Sequence, residues 1–366
     1  MYIVITISLI AILLTYWNVQ KVISNGMMYA FCLLSILYGL HYDYGTDYMQ
    51  YLYEYDNVVN SNYNIASVLD SDNWRNGEFG WGLLQWLFTF AGKNGFFILI
   101  ALLGIFENAV IYHFIKKHLD KKYWTFAVFV YVSSASFYLM GFSMIRQWFA
   151  MCLFMFAYNF SEQKKWLPAL LIIYFASTIH HTASILIPFA FWGYLPIKFT
   201  KVYTIAILFS FVLLVCVGEV VNSALSILTA NSDTIEDYID NYSDIGEGKS
   251  FGIGFILNTI PFIVTLLCIY KIGDNVNSRL LLLACIGTMV VAFSQSLAMV
   301  KRMSLYFTLL NIISIPIAYN AISNKVIRNA LIVVFIFMQL VGYAGFLNDD
   351  TYNGKFNVFK TIFTQL

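Results

Sequence analysis

The sequence predicts an all-α, polytopic membrane helix bundle of about twelve transmembrane helices. Three observations predict it. Hydrophobic residues make up 60% of the chain and charged residues 11%, against roughly 45–50% and about 25% in ordinary globular domains. A soluble chain of this composition would have no surface to give to water. The apolar residues also gather into stretches of near-spanning length. Finally, Lys and Arg are biased to every second loop, as the positive-inside rule requires. The net charge of +1 gives no global field to attract nucleic acid, and no such partner is expected.

A spanning helix needs about 20 mainly apolar residues, with a range of roughly 17–25. In chain order the stretches are 2–17, 26–41, 96–115, 123–140, 143–160, 166–180, 182–195, 202–220, 252–271, 280–298, 303–320 and 329–346. The first has no basic leader and is followed closely by the second, so it reads as a span and not as a cleaved signal. After the second comes a long outer loop, 42–95. Within it the segment 80–91 (GWGLLQWLFTFA) is too short to span and reads as an amphipathic interfacial helix. The adjacent pair 166–180 and 182–195 is short enough to be partly re-entrant. A second outer loop, 221–251, carries one lysine against Asp233, Glu236, Asp237, Asp240, Asp244 and Glu247. No internal repeat interrupts the pattern, and the chain reads as one integral membrane domain, 1–366. Cys32, Cys152, Cys216, Cys268 and Cys285 all sit in apolar runs without a C-x-x-C pair, and read as small core residues.

Orientation follows from the loops. One set holds thirteen basic residues, Lys21, Lys116, Lys117, Lys121, Lys122, Lys164, Lys165, Lys198, Lys201, Lys271, Arg279, Lys325 and Arg328, against three acids, Asp120, Glu162 and Asp274. The other set holds eight basic residues and sixteen acids. The first set is therefore cytoplasmic. The long acidic loops face outward, and loops of that kind are where recognition surfaces sit.

Charges near membrane depth cost roughly 2.5–3.5 kcal/mol each on insertion scales, so each is a candidate. Arg146, with Gln147 beside it, lies at an outer helix end in GFSMIRQWFA. Lys301 and Arg302 lie at another, in MVKRMSLYF, with Tyr306 one turn away on the same face. Snorkelling would account for one such cation. Two sets that both break the charge bias on the same side suggest a site for an anion, and guanidinium suits phosphate. His180 and His181 lie at the outer junction of two short helices, where an imidazole can carry a proton near neutral pH. Adjacent histidines without a third ligand nearby do not suggest a metal. Asp47 and Glu78 sit in the first outer loop, and Gly45 permits a turn that returns Asp47 toward the helix ends. Glu107 is mid-helix and reads as an interhelical packing residue. The tyrosine run at 48–55, led by Tyr48, suits either an interfacial belt or a glycan surface. There is no G-x-S-x-G, P-loop, G-x-G-x-x-G or H-E-x-x-H signature.

Five motifs in order resemble those of the EpsG/Wzy family of bacterial exopolysaccharide and O-antigen polymerases. They are G-T-D-Y at Gly45 to Tyr48, E-x-G-W at Glu78 to Trp81, M-x-R-Q-x-x-A at Met144 to Ala150, the histidine motif at His180 to Ala183, and K-R-x-x-x-Y-F at Lys301 to Phe307. Where the family form has proline after the glutamate, this chain has Phe79. The resemblance implies a GT-C-like fold and an enzyme of the inner membrane that acts at the periplasmic face. It would transfer a growing undecaprenyl-pyrophosphate-linked glycan onto the next lipid-linked repeat unit, without cofactor or metal. It implies Arg146, Arg302 and Lys301 on the pyrophosphate, His180, Asp47 or Glu78 in proton transfer, and Tyr48, Gln147 and Tyr306 near the glycan. Membrane lipid and a possible chain-length regulator are the implied partners. An O-antigen ligase, a sugar acyltransferase and a lipid-linked oligosaccharide flippase remain as alternatives.

Overall fold

A computed structural model describes residues 2–61, 63–74, 77–197, 202, 204–213, 253–272, 276–293, 298–349, 352 and 354–364. The stretch 221–251, expected as an outer loop, and the end of the stretch 202–220 lie outside the described residues. The chain forms two compact units, Met1–Leu195 with Tyr343–Leu366, and Pro196–Gly342.

Unit one begins with α1 (Tyr2–Val19) and α2 (Gly26–Leu40), antiparallel neighbours joined by a turn in which the Asn18 side chain accepts from the Met27 N–H at 3.3 Å. α2 packs along α6 (Gly95–His118). α7 (Trp124–Ser133), α8 (Ile145–Glu162) and α9 (Trp166–Ile179) follow, and a tight 3₁₀ stretch, His181–Tyr194, packs back on α8 and α9. Seam contacts are polar at chosen points: Tyr38 donates to the Gly141 carbonyl at 3.0 Å and Tyr138 to the Leu34 carbonyl at 2.7 Å. Glu107 is fully buried in α6, and beside it Asn108 accepts from the Tyr131 hydroxyl at 3.1 Å.

Unit two contains α10 (Thr204–Leu213), α11 (Ile253–Ile272), α12 (Val276–Phe293), α13 (Ala298–Thr308) and α14 (Asn311–Asn320), with most of α15 (Lys325–Leu347). Its core gathers Phe211, Phe262, Leu266, Ile269, Leu281 and Cys285.

Four expectations change. Among the described residues three helices are long and apolar enough to cross a membrane: Tyr2–Val19, Thr89–His118 and Lys325–Leu347. A fourth arises if Arg302–Thr308 and Asn311–Asn320, bent by 49°, form one span. The other apolar stretches are shorter or broken. Residues 123–140, expected as one helix, break at Ser134, whose ψ is 114°, and again at Phe137. The run Ser133, Ser134, Ala135, Ser136 puts hydroxyls that compete for backbone groups at that point. Second, the stretch 42–95, expected as an outer loop, is a folded helical layer: α3 (Tyr48–Asn60), α4 (Ile65–Leu69) and α5 (Phe79–Leu87), with short 3₁₀ turns between and after them. Its aromatic tips are tied to its own carbonyls: Trp74 to Val68 at 2.7 Å, Trp86 to Tyr63 at 2.9 Å and Tyr55 to Gly92 at 2.8 Å. Third, the all-α description needs one strand pair, β1 (His41–Tyr42) antiparallel to β2 (Lys360–Thr361). Fourth, Cys32 is exposed on α2 and is not a core residue; Cys152, Cys268 and Cys285 are buried.

Candidate active site at a three-helix junction

The strand pair places the first motif. Asp43 follows β1 and its carboxylate receives Lys355 Nζ at 2.8 Å and Lys360 Nζ at 2.9 Å. The Tyr44 ring packs edge-on against Phe142, Phe356 and Phe359. Gly45 then turns with φ +101°, and an added Cβ would lie 2.8 Å from the Phe142 carbonyl oxygen. Only glycine fits both the turn and the approach. The approach lets the Thr46 hydroxyl meet the Ser143 hydroxyl at 2.6 Å, with the Thr46 N–H donating to Ser143 Oγ at 3.1 Å. Asp47 heads α3 and accepts from Thr46 Oγ1 at 2.7 Å. The G-T-D motif thus pins the segment that enters α8, three residues before Arg146.

The second motif works the same way. Glu78 is the N-cap of α5, and Gly80 lies in its first turn. A Cβ at Gly80 would fall 2.1 Å from Thr178 Oγ1 and 2.9 Å from the Thr178 carbonyl carbon, so α5 presses directly on the last turn of α9. Phe79 is the first helical residue, the position at which proline is tolerated, so exchange of proline for phenylalanine there leaves the geometry of Glu78 intact.

Glu78 is 2% exposed and holds three partners on its two oxygens. Arg146 Nη1 donates to Oε2 at 2.6 Å. His180 Nδ1 lies 3.0 Å from Oε1, which also accepts the His181 backbone N–H at 3.0 Å. Arg146 comes from the first turn of α8, His180 is the C-cap of α9, and the Tyr51 ring of α3 lies 5.1 Å beneath the guanidinium carbon. Burial raises the Glu78 carboxyl, but the His180 hydrogen bond, the Arg146 charge and the His181 N–H outweigh it and hold it below the usual carboxylate range. A carboxylate there takes Nδ1–H as donor, which leaves His180 Nε2 as an acceptor. That nitrogen is buried without a hydrogen-bond partner among the described residues, as is Arg146 Nε.

The structure therefore brings together Glu78, Arg146 and His180. Asp47, the N-cap of α3, makes no hydrogen bond or ion pair with that trio among the described residues; its backbone carbonyl receives Tyr51 N at 3.1 Å. Gln147 is buried beside Arg146. Tyr48, expected near a glycan, is fully buried against His41 and Phe96. Tyr306 is likewise fully buried, in unit two. Arg302 is exposed on α13 of that unit, and the side chain of Lys301 lies outside the described residues. Ser143 was not anticipated as a site residue; Tyr51 fell within the tyrosine run at 48–55 and Gly80 within the E-x-G-W motif, neither with a role of its own. Tyr51 had a sequence signal, since Tyr48, Tyr51, Tyr55 and Val58 fall on one face of a helix. Among the described residues no three His, Cys, Asp or Glu side chains converge as a metal site.

No curated protein and no solved structure matches the chain. The sequence model of the EpsG family matches residues 24–360, a stretch that takes in all five motifs and the first strand of the pair. By that match the chain belongs to the EpsG family, with the polysaccharide-polymerase type of function that the family carries.

Proposed function

We propose that the protein is a glycosyltransferase that polymerises polysaccharide, moving a growing undecaprenyl-pyrophosphate-linked glycan onto the next lipid-linked repeat unit at the outer face of the bacterial inner membrane. The observation that carries the reading is the Glu78 carboxylate shared between Arg146 and His180. A base and a phosphate-binding cation held at one carboxylate suit a transfer in which a hydroxyl loses a proton as a pyrophosphate leaves.

In this scheme Glu78 fixes the His180 ring, and Nε2 takes the proton of the acceptor hydroxyl as its oxygen bonds to the anomeric carbon. The bond from that carbon to the pyrophosphate oxygen breaks, and Arg146 stabilises the charge on the leaving group. Arg146 meets Glu78 before substrate arrives, so the anion displaces one carboxylate oxygen and the guanidinium exchanges partners. Asp47 is the second candidate for the base. Arg302 and Lys301 are assigned to pyrophosphate, and Gln147 and Tyr306 to the surroundings of the glycan, by the family motifs. About twelve crossings in a GT-C-like arrangement, a metal-independent reaction and a chain-length regulator as partner belong to the same reading.

The test is surface-polymer ladder length in cells that carry Arg146→Ala, His180→Ala or Arg302→Ala. The expected result is collapse to single repeat units on the outer leaflet at normal protein levels. Wild-type ladders from all three remove these assignments. Repeat units trapped on the inner leaflet would instead favour a flippase, and full-length polymer left on its lipid carrier would favour a ligase.

A further inference from the structure

The seam between α2 and α6 holds an apolar groove of about 1030 Å³, at the upper end of small-molecule pockets. It exists because the facing residues are small. Gly39 approaches Ala101 so closely that a Cβ would lie 3.2 Å away, and Ala109 continues the floor. The walls, Ile36, Ile98, Leu102 and Ile105, remain 41–56% exposed, so the groove opens sideways from the bundle, toward lipid. It runs along α6 from Phe97 to Lys116, about 28 Å at the helical rise, close to the ~30 Å hydrocarbon thickness of a bilayer.

Its polarity is one-sided. Tyr112, His113 and Lys116 line one end, and Leu40, Phe97 and Ile362 the other. Between them the Ser35 hydroxyl is already bonded to the Phe31 carbonyl at 2.8 Å. Lys116 Nζ reaches the Tyr112 hydroxyl at 3.4 Å and lies 5.6 Å from its ring centroid. It has no carboxylate in salt-bridge range among the described residues, whereas Lys117 pairs with Glu162 at 2.8 Å and Lys122 with Asp120 at 3.7 Å.

We propose that this groove binds an anionic phospholipid, with acyl chains along the α2–α6 seam and the phosphoryl headgroup at Lys116, in the leaflet on the lysine-rich side. No lysine or arginine lines the other end. The inference does not depend on the polymerase reading.

The test uses full-length protein in neutral detergent, incubated with equimolar phosphatidylglycerol and phosphatidylcholine of identical chains and read by native mass spectrometry. Wild type retains phosphatidylglycerol about fivefold over phosphatidylcholine, the preference expected of one lysine at a lipid surface. Lys116→Gln brings the ratio to near one while lipid is still retained. Lys117→Gln, which removes a lysine already matched by Glu162, leaves the ratio unchanged. Phosphatidylglycerol also slows maleimide labelling of Cys32, which lines the groove and is exposed. Equal retention of both lipids by wild type, an unchanged ratio in Lys116→Gln, or displacement of phosphatidylglycerol by inorganic phosphate or by a polyprenyl pyrophosphate would each overturn the proposal. All readouts are binding measurements, so their failure is distinct from loss of transfer activity.

Discussion

Glu78 commits its two oxygens to different partners, and that geometry sets what its removal does. Glu78→Ala leaves Arg146, 12% exposed at its side chain, without its counter-charge; breaking a buried pair costs roughly 3–5 kcal/mol. The double variant Glu78→Ala/Arg146→Ala is therefore expected to be more stable than Glu78→Ala alone, read by thermal denaturation in detergent. Simple addition of the two single losses would show that the pair is not coupled. A pH titration tests the same carboxylate. Its folded pKa is depressed, so its contribution to stability is complete above the ordinary carboxylate range near pH 4.3–4.5 and is lost as pH falls through the lower folded value. Asp43 has the same sign: burial raises it, but Lys355 and Lys360 outweigh that. Stability is expected to be insensitive to these two groups between pH 6 and 8 and to decline below about pH 4. A decline between pH 6 and 8 that Glu78→Gln abolishes would contradict this. Arg146, His180 and Glu78 were legible in the sequence as charges and imidazoles out of place beside motifs in a familiar order. Their mutual contact was not, because it depends on how closely α5 approaches α9, and that is set by one missing Cβ.

That missing Cβ is a property of an element. Gly80→Ala forces α5 away from Thr178, and overpacking of this kind costs typically about 1–3 kcal/mol. The displacement also moves Glu78, so polymer ladders are expected to shorten even in preparations that remain folded by size-exclusion chromatography. Full ladders from Gly80→Ala would show that the close approach is dispensable. The C-terminal strap poses a question of magnitude. Lys355 and Lys360 are 39% and 44% exposed, and exposed pairs contribute about 0–1 kcal/mol each. Phe356 is 2% exposed against Tyr44 and Phe346, and losing such a ring costs about 3–5 kcal/mol. Phe356→Ala is therefore expected to open the strap to protease far more readily than Asp43→Asn. The reverse order would mean that the ion pairs hold it. α3 shows where element-level reading stopped short. The positions 48, 51, 55 and 58 carry a helical period, yet a tyrosine-rich loop also suits an interface belt or a sugar platform. The period decided it: three rings face inward, while Tyr53, off that face, is 67% exposed. The break at Ser134 was hidden because hydropathy averages over a window and does not register where hydroxyls redirect the backbone.

At the scale of the molecule, composition alone was sufficient to identify a membrane protein, whereas the count of crossings was not, since short and bent helices share the hydropathy of straight ones. The proposed orientation is open to a direct check by single cysteines in a cysteine-free background. A cysteine at Tyr53 is expected to react with an impermeant maleimide in intact cells. One at Lys122, 64% exposed at its side chain, is expected to react only after permeabilisation. Labelling in the opposite pattern would invert the topology and with it the proposed outer active face. The pairing of His41 with Thr361, and of Asp43 with Lys355 across 312 positions, bears on the timing of synthesis. The turn that positions the start of α8 is held by a segment the ribosome makes only after every helix described here. A nascent chain stalled before residue 355 contains Glu78, Arg146 and His180 but lacks the clamp beside them. Activity is therefore expected to arise late, after the strap has been translated and has folded back onto residues 41–47, so that partly inserted chains stay silent toward substrate.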